Sequence, residues 1–472
     1  MIIDARNENV ALNRSTRYAI VGAGPAGMTL ARELSNINSV LLIESGGFEA
    51  NADVQALYTG ECVGIKYPLT DTRARQFGGS SALWAGYCAI FDPHDFLQRD
   101  WVPTSGWPFG IDEIEPYYAS TAKLLNLNEP NFDARYISSR VGVFLPFDDG
   151  VIVPTAWRFG TPKIEYGKHL REEFETSENL TTLIHANVVD IRLDSEHSMV
   201  TELIIRTLDG RQGRVAADIV VLACGGIETP RILLNADTQV RCGLGNSNDM
   251  VGRFFMEHPH IPITSLRLHD IGWFKNSIER GIYDDNRQFM LAIGLSEAAQ
   301  KEAGILNARA HIYRTPLMSD DEIPKIGLFL EQAPNPNSRI TLSEKRDILG
   351  MRRVRLDWRL TELDWKTFEK TGYLLGQEFE RVNAGKMHLP SQSTTYESRL
   401  MIHSNHHLGT TRMANDRTEG VVDPNCRVHD LSNLFIIGGS IFPTSSWANP
   451  TFTLITLTLR LADHLRSEYG SM

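Results

Sequence analysis

Two adjacent histidines and a distant asparagine are the residues of this chain whose types could do chemistry. His406 and His407 lie in the segment SNHHLGTTRM, and Asn449 follows His406 by 43 residues. A histidine pair can ligate a metal or form part of a polar loop. Successive side chains of an extended segment point to opposite sides, however, which disfavours joint ligation. The pattern therefore favours one imidazole that faces a pocket.

A dinucleotide would be held by residues 18–44, YAIVGAGPAGMTLARELSNINSVLLIE. A short apolar run leads into the glycine-rich turn, a helical pattern follows, and a second apolar run ends in an acidic residue. Gly22 permits the tight turn, Gly24 lets the backbone approach a pyrophosphate, and Gly27 lets the helix pack on the strand. The first turn of the helix offers free N–H groups to the phosphates.

Glu44 narrows the choice of dinucleotide. It lies 20 residues past Gly24, where an acidic side chain can hold ribose hydroxyls. The same carboxylate would repel the 2′-phosphate of NADP. The sequence therefore predicts FAD or NAD.

Composition sets the broad class of protein. The chain has 472 residues, 42% of them apolar and 22% charged, which indicates a globular protein of two to three domains. A net charge of −11 argues against a nucleic-acid partner. The five cysteines are scattered without metal-ligand spacing, so neither a zinc site nor a disulfide framework is predicted. Without a signal-peptide pattern or an apolar run of membrane-spanning length, a cytoplasmic location is expected.

Other glycine-rich turns follow predicted strands. Residues 73–86 carry a Gly-Gly-Ser-Ser loop that is either a ligand cradle or a surface turn. Strands are predicted over 180–189 and 199–206. The runs 217–226 and 434–440 each read as a buried strand that ends in glycines. They suggest one sheet revisited after an insertion, although an ordinary crossover gives the same pattern.

The remaining segments predict a second domain. Residues 91–118 are dense in Trp, Pro and Asp and suit a long excursion over a site, and 119–179 are predicted as loops with short helices. Six strand patterns between 261 and 358 without long helices predict an antiparallel sheet. Helices are predicted over 364–384 and from Asn449-Pro450 to about Leu465.

These motifs, in this order, resemble the glucose-methanol-choline (GMC) family of flavin oxidoreductases. The similarity extends over nearly the whole chain. It includes GAGPAG with Glu44, the GGSS loop, ADIVVLACGGIETPRILL, VGRFFMEHPH, HHLGTTRM, GVVDPNCRVHDLSNLFIIGGS and NPTFTLITLTLRLADHL. The GGSS loop followed by a tryptophan, together with DPHDF…RDWVPTSGWP, is most similar to the pyranose-oxidase and glycoside-oxidising branch.

The resemblance implies roles for the polar cluster. Enzymes of this family oxidise an alcohol carbon by hydride transfer to flavin N5, while a base takes the hydroxyl proton. The family's base is the first histidine of HxxGT, here His406, and imidazole suits the task because its pKa lies near working pH. Asn449 is its expected partner on the alcohol oxygen. His407 remains the rival base.

The resemblance also implies a set of cofactor contacts. A helix that starts at Pro450 would direct N–H groups toward the flavin and stabilise its reduced, anionic form. Leu83, just before Trp84, stands where several relatives carry a histidine that bonds FAD covalently, so non-covalent FAD is predicted. The predicted cofactor-binding residues are Gly22, Gly24, Ala26, Gly27, Glu44, Arg75, Gly78, Gly79, Ser80, Ser81, Trp84, Val188, Cys224, Gly225, Gly439, Ser440, Pro450 and Thr451.

The sequence thus predicts an α/β chain, α+β overall, of two intertwined domains. A Rossmann-type FAD domain would comprise residues 1–90, 178–257 and 403–472. A substrate domain on an antiparallel sheet would comprise 91–177 and 258–402.

The expected activity is oxidation of a secondary hydroxyl of a sugar, glycoside or sugar-like alcohol to a ketone, with oxygen or another electron acceptor. Oxidation of a non-sugar alcohol, such as a sterol or an antibiotic intermediate, and a non-redox lyase on the same fold are the alternatives. A plain NAD-dependent dehydrogenase is disfavoured because it has no use for the C-terminal glycine turn and helix.

Overall fold

The computed structural model describes residues 1–127, 129–140, 142, 146–148, 150–263, 265–269, 281–283, 287–313, 325–388 and 404–470. The strands within these ranges are β1 Ile2–Asp4, β2 Arg14–Val21, β3 Val40–Ile43, β4 Glu61–Cys62, β5 Tyr87–Cys88, β6 Ile152–Phe159, β7 Leu180–Ile184, β8 Asn187–Leu193, β9 Val200–Arg206, β10 Gln212–Leu222, β11 His260–Ile263, β12 Ser265–Leu268, β13 Gly281–Tyr283, β14 Arg287–Leu295, β15 Ala308–Tyr313, β16 Lys325–Leu330, β17 Arg339–Arg346, β18 Arg352–Asp357, β19 Gly385–His388 and β20 Leu434–Ile436.

The α-helices of the same ranges connect and cover these strands. They are α1 Pro25–Leu34, α2 Ala52–Gln55, α3 Tyr118–Leu124, α4 Ala134–Arg140, α5 Tyr166–His169, α6 Arg171–Thr176, α7 Gly225–Asn235, α8 Glu297–Ala303, α9 Glu362–Arg381 and α10 Thr451–Tyr469. Within the part of the chain that the structure describes, no helix is long and apolar enough to cross a membrane.

The first sheet brings distant parts of the chain together. Its order is β1-β7-β3-β2-β10-β9-β8, and β20 pairs with β10. The neighbouring strands in the part β1-β7-β3-β2-β10 are parallel, and so is the pair of β10 with β20. All four residues of β3 are buried apolar side chains, as expected for a parallel strand covered on both faces. The sheet is therefore revisited after insertions, as the glycine-ended strands predicted.

The second sheet has the order β11-β16-β15-β14-β6-β5, with β13 beside β14, and its pairs are antiparallel. Together the two sheets give an α/β fold with a Rossmann-type domain and a second domain on an antiparallel sheet. The exact domain boundaries remain a prediction, and the segment 258–402 extends beyond the described residues.

The prediction of one six-stranded antiparallel sheet between 261 and 358 was wrong. Strands β17 and β18 form a separate three-stranded sheet with β4, and β12 pairs with β19. The turn Pro334-Asn335-Pro336-Asn337 separates β16 from β17. Beyond that turn, Ile340, Val354 and Leu356 pack into a separate apolar cluster with Trp358.

The prediction that 119–179 contains only loops and short helices was also wrong, because strand β6 lies there. It pairs along its whole length with β14. Its sequence, IVPTAWRF, shows no alternation of polar and apolar residues, and Pro154 argues against a central strand. A smaller error is the single strand over 180–189. The chain turns at His185, whose φ is +60°, between β7 and β8.

Candidate active site

A cavity of about 500 Å³ lies between the two sheets. Glu44 and Val188 line it on the side of the first sheet, and His406 and Asn449 line it elsewhere. His260 and Phe329, which pair across β11 and β16, contribute from the second sheet. The dinucleotide fingerprint and the polar cluster therefore border one continuous space.

The glycine-rich turn after β2 leaves room on the cavity side. A Cβ added at Gly27 would lie 1.9 Å from the carbonyl oxygen of Gly22, so this glycine is required for packing of α1. A Cβ added at Gly24 would meet nothing within 4 Å, and Gly24 lines the cavity. Its backbone is extended and does not itself require glycine. The open space at Gly24 fits a pyrophosphate beside the first turn of α1.

Glu44 is buried at the end of β3. One carboxylate oxygen accepts a hydrogen bond of 2.8 Å from the backbone N–H of Ala23, and the other accepts one of 2.8 Å from Gly46. Burial raises the pKa of Glu44, and these two N–H groups oppose that shift. Each oxygen keeps a second lone pair, so the carboxylate shapes the turn and can still accept from a ribose hydroxyl.

A buried ionic cluster flanks the same part of the cavity. The guanidinium groups of Arg73 and Arg75 donate to Glu228 at 3.0 and 2.9 Å, and Arg231 bridges Glu228 and Asp347 at 3.1 and 2.6 Å. Burial alone would raise the pKa of Glu228, but the three arginines more than offset it and lower that pKa to about 2.

The cluster is suited to an anionic ligand. Its three cations face two carboxylates, which leaves one positive charge. Nη2 of Arg73 and Nε of Arg75 are buried without a hydrogen-bond partner, and both residues line the cavity. Unsatisfied buried donors of this kind favour phosphate oxygens. The sequence-based prediction included Arg75 but missed Arg73, two residues earlier in the same quoted loop.

The structure places most of the predicted cofactor residues at the cavity. Gly27, Gly78 and Ser440 do not line it. Gly78 has φ +95° and packs against Gly167, where a Cβ would lie 2.3 Å from the backbone nitrogen, so its role is in the loop fold. The predicted residues that do line the cavity are Gly22, Gly24, Ala26, Glu44, Arg75, Gly79, Ser80, Ser81, Trp84, Val188, Cys224, Gly225, Gly439, Pro450 and Thr451.

His406 lies in a row of polar groups at the cavity. Its Nδ1 is 2.7 Å from Nδ1 of His258, whose Nε2 is 3.0 Å from the backbone oxygen of Ser445. Its Nε2 is 3.2 Å from the side-chain nitrogen of Asn449. Burial lowers the pKa of His406 well below its usual value, and the neighbouring histidines lower it further. The imidazole is therefore neutral near pH 7 and keeps a lone pair for a proton.

Asn449 is held from the other side by an indole. Nε1 of Trp157, on β6, donates a hydrogen bond of 2.8 Å to Oδ1 of Asn449. The amide nitrogen therefore faces His406. Pro450 and Thr451 follow at the start of α10 and also line the cavity.

His407 turns away from this row. Its Nε2 lies 2.8 Å from the hydroxyl of Tyr67, and its ring stacks on Phe255 with centroids 6.2 Å apart. Burial lowers the pKa of His407 to about 3. The two adjacent histidines thus point to different surroundings, as the extended pattern of the segment predicted.

Glu257 fixes the backbone beneath both histidines. Its Oε1 accepts from the N–H groups of His406 at 2.8 Å and His258 at 2.9 Å, and its Oε2 accepts from the Tyr67 hydroxyl at 2.7 Å. Burial raises the pKa of this carboxyl, and those donors oppose the shift.

Sequence reasoning missed His258, Glu257 and Trp157. The first two belong to the quoted motif VGRFFMEHPH, where a polar pair within an apolar run was an available signal. Trp157 carried none, because its partner Asn449 lies 292 residues away.

The chain is similar to several known proteins. Residues 334–458 match the family described as GMC oxidoreductase. The chain is 28% identical over 315 residues to the fructose dehydrogenase large subunit of Gluconobacter japonicus, which covers 62% of this chain and 55% of that subunit. It is 24% identical over 517 residues to 6‴-hydroxyparomomycin C oxidase of Streptomyces lividus, covering 95% of this chain and 92% of that enzyme.

A solved structure shows the same fold. Pyridoxine 4-oxidase from Mesorbium loti aligns with a TM-score of 0.63 at 19% identity, over 96% of this chain and 99% of that one. The C-terminal region of the chain matches the GMC oxidoreductase family. The resemblance to this family seen in the motifs is confirmed.

Proposed function

We propose that this chain is an FAD-dependent oxidoreductase that converts a secondary hydroxyl of a sugar, glycoside or sugar-like alcohol to a ketone, with His406 as the base. One observation carries the proposal. At the cavity, a neutral imidazole nitrogen of His406 stands 3.2 Å from the amide nitrogen of Asn449, and the same cavity reaches the dinucleotide turn. An acceptor and a donor thus stand side by side, as an alcohol O–H requires.

The reacting groups have complementary roles. When bound, FAD supplies at N5 an acceptor for the hydride that leaves the alcohol carbon. His406 takes the hydroxyl proton at Nε2, and the N–H group of Asn449 donates to the alcohol oxygen and holds it in place. As the C–H and O–H bonds break, the C=O bond forms. His407 is disfavoured as the base because its Nε2 is engaged by Tyr67.

The chain's residues fit FAD over the length of the cavity. Glu44 would accept from the ribose, and Gly24 with the first turn of α1 would face the pyrophosphate. Arg73 and Arg75 offer their unsatisfied donors to the same anion. Leu83 lines the cavity and cannot form a covalent bond to the flavin, so we propose that FAD is bound non-covalently.

The substrate class rests on two kinds of support. The names of the two relatives above state that one acts on fructose and the other on a paromomycin derivative. In the same cavity as His406, the rings of His260 and Phe329 stack with centroids 4.7 Å apart, and Ser404 also lines the space. The C–H face of a sugar could pack on these rings, and its hydroxyls could bond to the polar groups.

An anaerobic titration tests the proposal. The FAD-loaded protein is mixed with sugars, glycosides and simple alcohols while its visible absorbance is followed. We expect bleaching with a sugar or glycoside, and admission of air then shows whether oxygen is the acceptor. Bleaching only with non-sugar alcohols would overturn the substrate class. Flavin that no alcohol bleaches would overturn the activity and favour a lyase.

A further inference from the structure

One chain of hydrogen bonds joins a backbone carbonyl to an indole through the proposed base. From Ser445 O it runs through His258, His406 and Asn449 to Trp157, with distances of 3.0, 2.7, 3.2 and 2.8 Å. We propose that His258 and Trp157 are positioning residues that impose one direction on this chain. With the donors and acceptors in this order, the lone pair of His406 Nε2 and an N–H of Asn449 both face the site of the alcohol. The inference rests on the proposed function.

The carbonyl oxygen of Ser445 fixes the tautomers of the two imidazoles. A carbonyl oxygen only accepts, so Nε2 of His258 must carry a hydrogen and donate to Ser445 O. His258 is 1% exposed, and burial lowers its pKa to about 4, so the ring is neutral and its Nδ1 holds a lone pair. The contact of 2.7 Å then requires a hydrogen on Nδ1 of His406. The lone pair of His406 is consequently on Nε2.

The indole end fixes the amide independently. An indole N–H only donates, so it requires Oδ1 of Asn449 to face Trp157. A flipped amide would set its NH₂ against the indole N–H, two donors in contact. With Oδ1 held, one amide N–H of Asn449 points to the lone pair of His406 Nε2.

The other tautomer of His406 would break the chain twice. A hydrogen on Nε2 would meet the N–H groups of Asn449, and the lone pair on Nδ1 would meet the lone pair of His258. Both contacts would leave buried polar groups unpaired, which is costly. The Ser445 carbonyl and the Trp157 indole together therefore exclude the tautomer of His406 that could not accept a proton at Nε2.

The same chain supports the proton transfer itself. An alcohol oxygen beside both nitrogens donates its O–H to His406 Nε2, in place of the Asn449 contact, and accepts from an N–H of Asn449. After transfer the imidazolium of His406 carries hydrogens on both nitrogens. Its Nδ1–H still has the lone pair of His258 as an acceptor, so the new charge keeps a hydrogen bond in a buried site. The hydride would leave the carbon with its electron pair, and bound FAD would accept both.

Conservative variants separate orientation from packing. In His258→Asn, the amide oxygen takes the place of Nδ1 and can still accept from His406. The leucine of His258→Leu has no acceptor. We expect the rate of flavin reduction by substrate to fall about 100-fold in His258→Leu and to stay within about tenfold of wild type in His258→Asn. Trp157→Phe keeps the ring but removes the donor, and an about tenfold loss is expected.

Trp101→Phe is the matched control. Its indole N–H donates at 2.9 Å to the backbone oxygen of Ile305, and Trp101 does not line the cavity. We expect this variant to reduce its flavin as fast as wild type. Equal rates in His258→Asn and His258→Leu would overturn the role of His258. A rate in Trp157→Phe equal to that of the control would overturn the role of Trp157.

A second readout is independent of turnover. In FAD-loaded protein labelled with ¹⁵N-histidine, the nitrogen shifts report which ring nitrogen of His406 carries the hydrogen, with His406→Ala used for assignment. We expect Nδ1–H in wild type and in Trp157→Phe, where His258 still accepts from this hydrogen, and a tautomer mixture in His258→Leu, where the hydrogen has lost its acceptor. A hydrogen on Nε2 in wild type would refute the inference even if His258→Leu does not fold. Flavin that no alcohol reduces would instead refute the proposed function and leave the tautomer test intact.

Discussion

At the scale of single residues, substitutions of the two neighbouring histidines should have opposite effects on the rate of flavin reduction. His406→Ala removes the proposed base, so we expect flavin reduction by substrate to fall by about 10²- to 10⁴-fold while FAD stays bound. His407→Phe keeps the ring that stacks on Phe255 and loses only the bond to Tyr67. This variant should lose about 1–3 kcal/mol of stability and little of its rate. Stopped-flow absorbance and thermal unfolding of both variants check this. Equal loss of rate in the two would contradict the assignment.

The pH dependence of the reaction should follow the pKa of His406. Because burial and the neighbouring histidines lower that pKa, the neutral base persists below pH 6.5, and flavin reduction should be flat from pH 8 to about 6.5. Asn449→Asp would place a carboxylate beside Nε2 and favour the imidazolium, which has no lone pair. We expect the acid limb of the rate profile to move up by about 1–3 pH units in this variant. An unmoved acid limb would show that a different group is the base.

At the scale of elements, two glycines at the junction of β2 and α1 should have different roles, one in binding FAD and one in folding. Gly24→Ala adds a methyl into open space, so the apoprotein should melt near the wild-type temperature while its affinity for FAD falls about tenfold or more. Gly27→Ala drives a methyl into the carbonyl of Gly22 and should destabilise the apoprotein itself by about 1–3 kcal/mol. Thermal melts and FAD titrations of both apoproteins check the pair.

The control for these glycines is Gly376→Ala within α9. Its methyl would lie 3.6 Å from Cβ of Met387, an ordinary contact, and alanine favours a helix interior. FAD affinity should not change. If Gly24→Ala also binds FAD with wild-type affinity, the glycine turn is not the phosphate site.

Helix α7 is tied to the Gly-Gly-Ser-Ser loop by Glu228. Glu228→Gln leaves Arg73, Arg75 and Arg231 without their shared carboxylate, and we expect a loss of about 3–5 kcal/mol of stability. Glu173→Gln is the matched control, because its ion pair with Arg32 is exposed and should contribute no more than about 1 kcal/mol. Denaturant unfolding of both variants measures the difference. Similar losses would mean that the buried cluster is not a structural anchor.

The elements also show what could be predicted from the sequence. The turn from β2 to α1 and the start of α10 were predictable because glycine and proline have local conformational roles. Strand β6 was not, because its position is set by pairing with β14, more than a hundred residues later. The contact between His258 and His406 spans 148 residues, and only the fold could reveal it. Residue types could therefore nominate the base but not the groups that orient it.

At the scale of the whole molecule, the cavity couples the two sheets. Gly24, Glu44 and Val188 border it from the first sheet, and His260 and Phe329 border it from the second. A ligand that fills this space contacts both layers and binds only the native chain. FAD should therefore stabilise the fold as a unit.

At a free FAD concentration 1,000 times its Kd, native-state binding adds about 4 kcal/mol. For a chain of 472 residues this corresponds to a rise in melting temperature of about 4 °C. We expect flavin fluorescence to appear at the temperature at which far-UV circular dichroism is lost, in one transition. The Gly24→Ala protein should show a smaller rise at the same FAD concentration. Release of flavin well before the loss of secondary structure would mean that the cofactor is held by one layer alone.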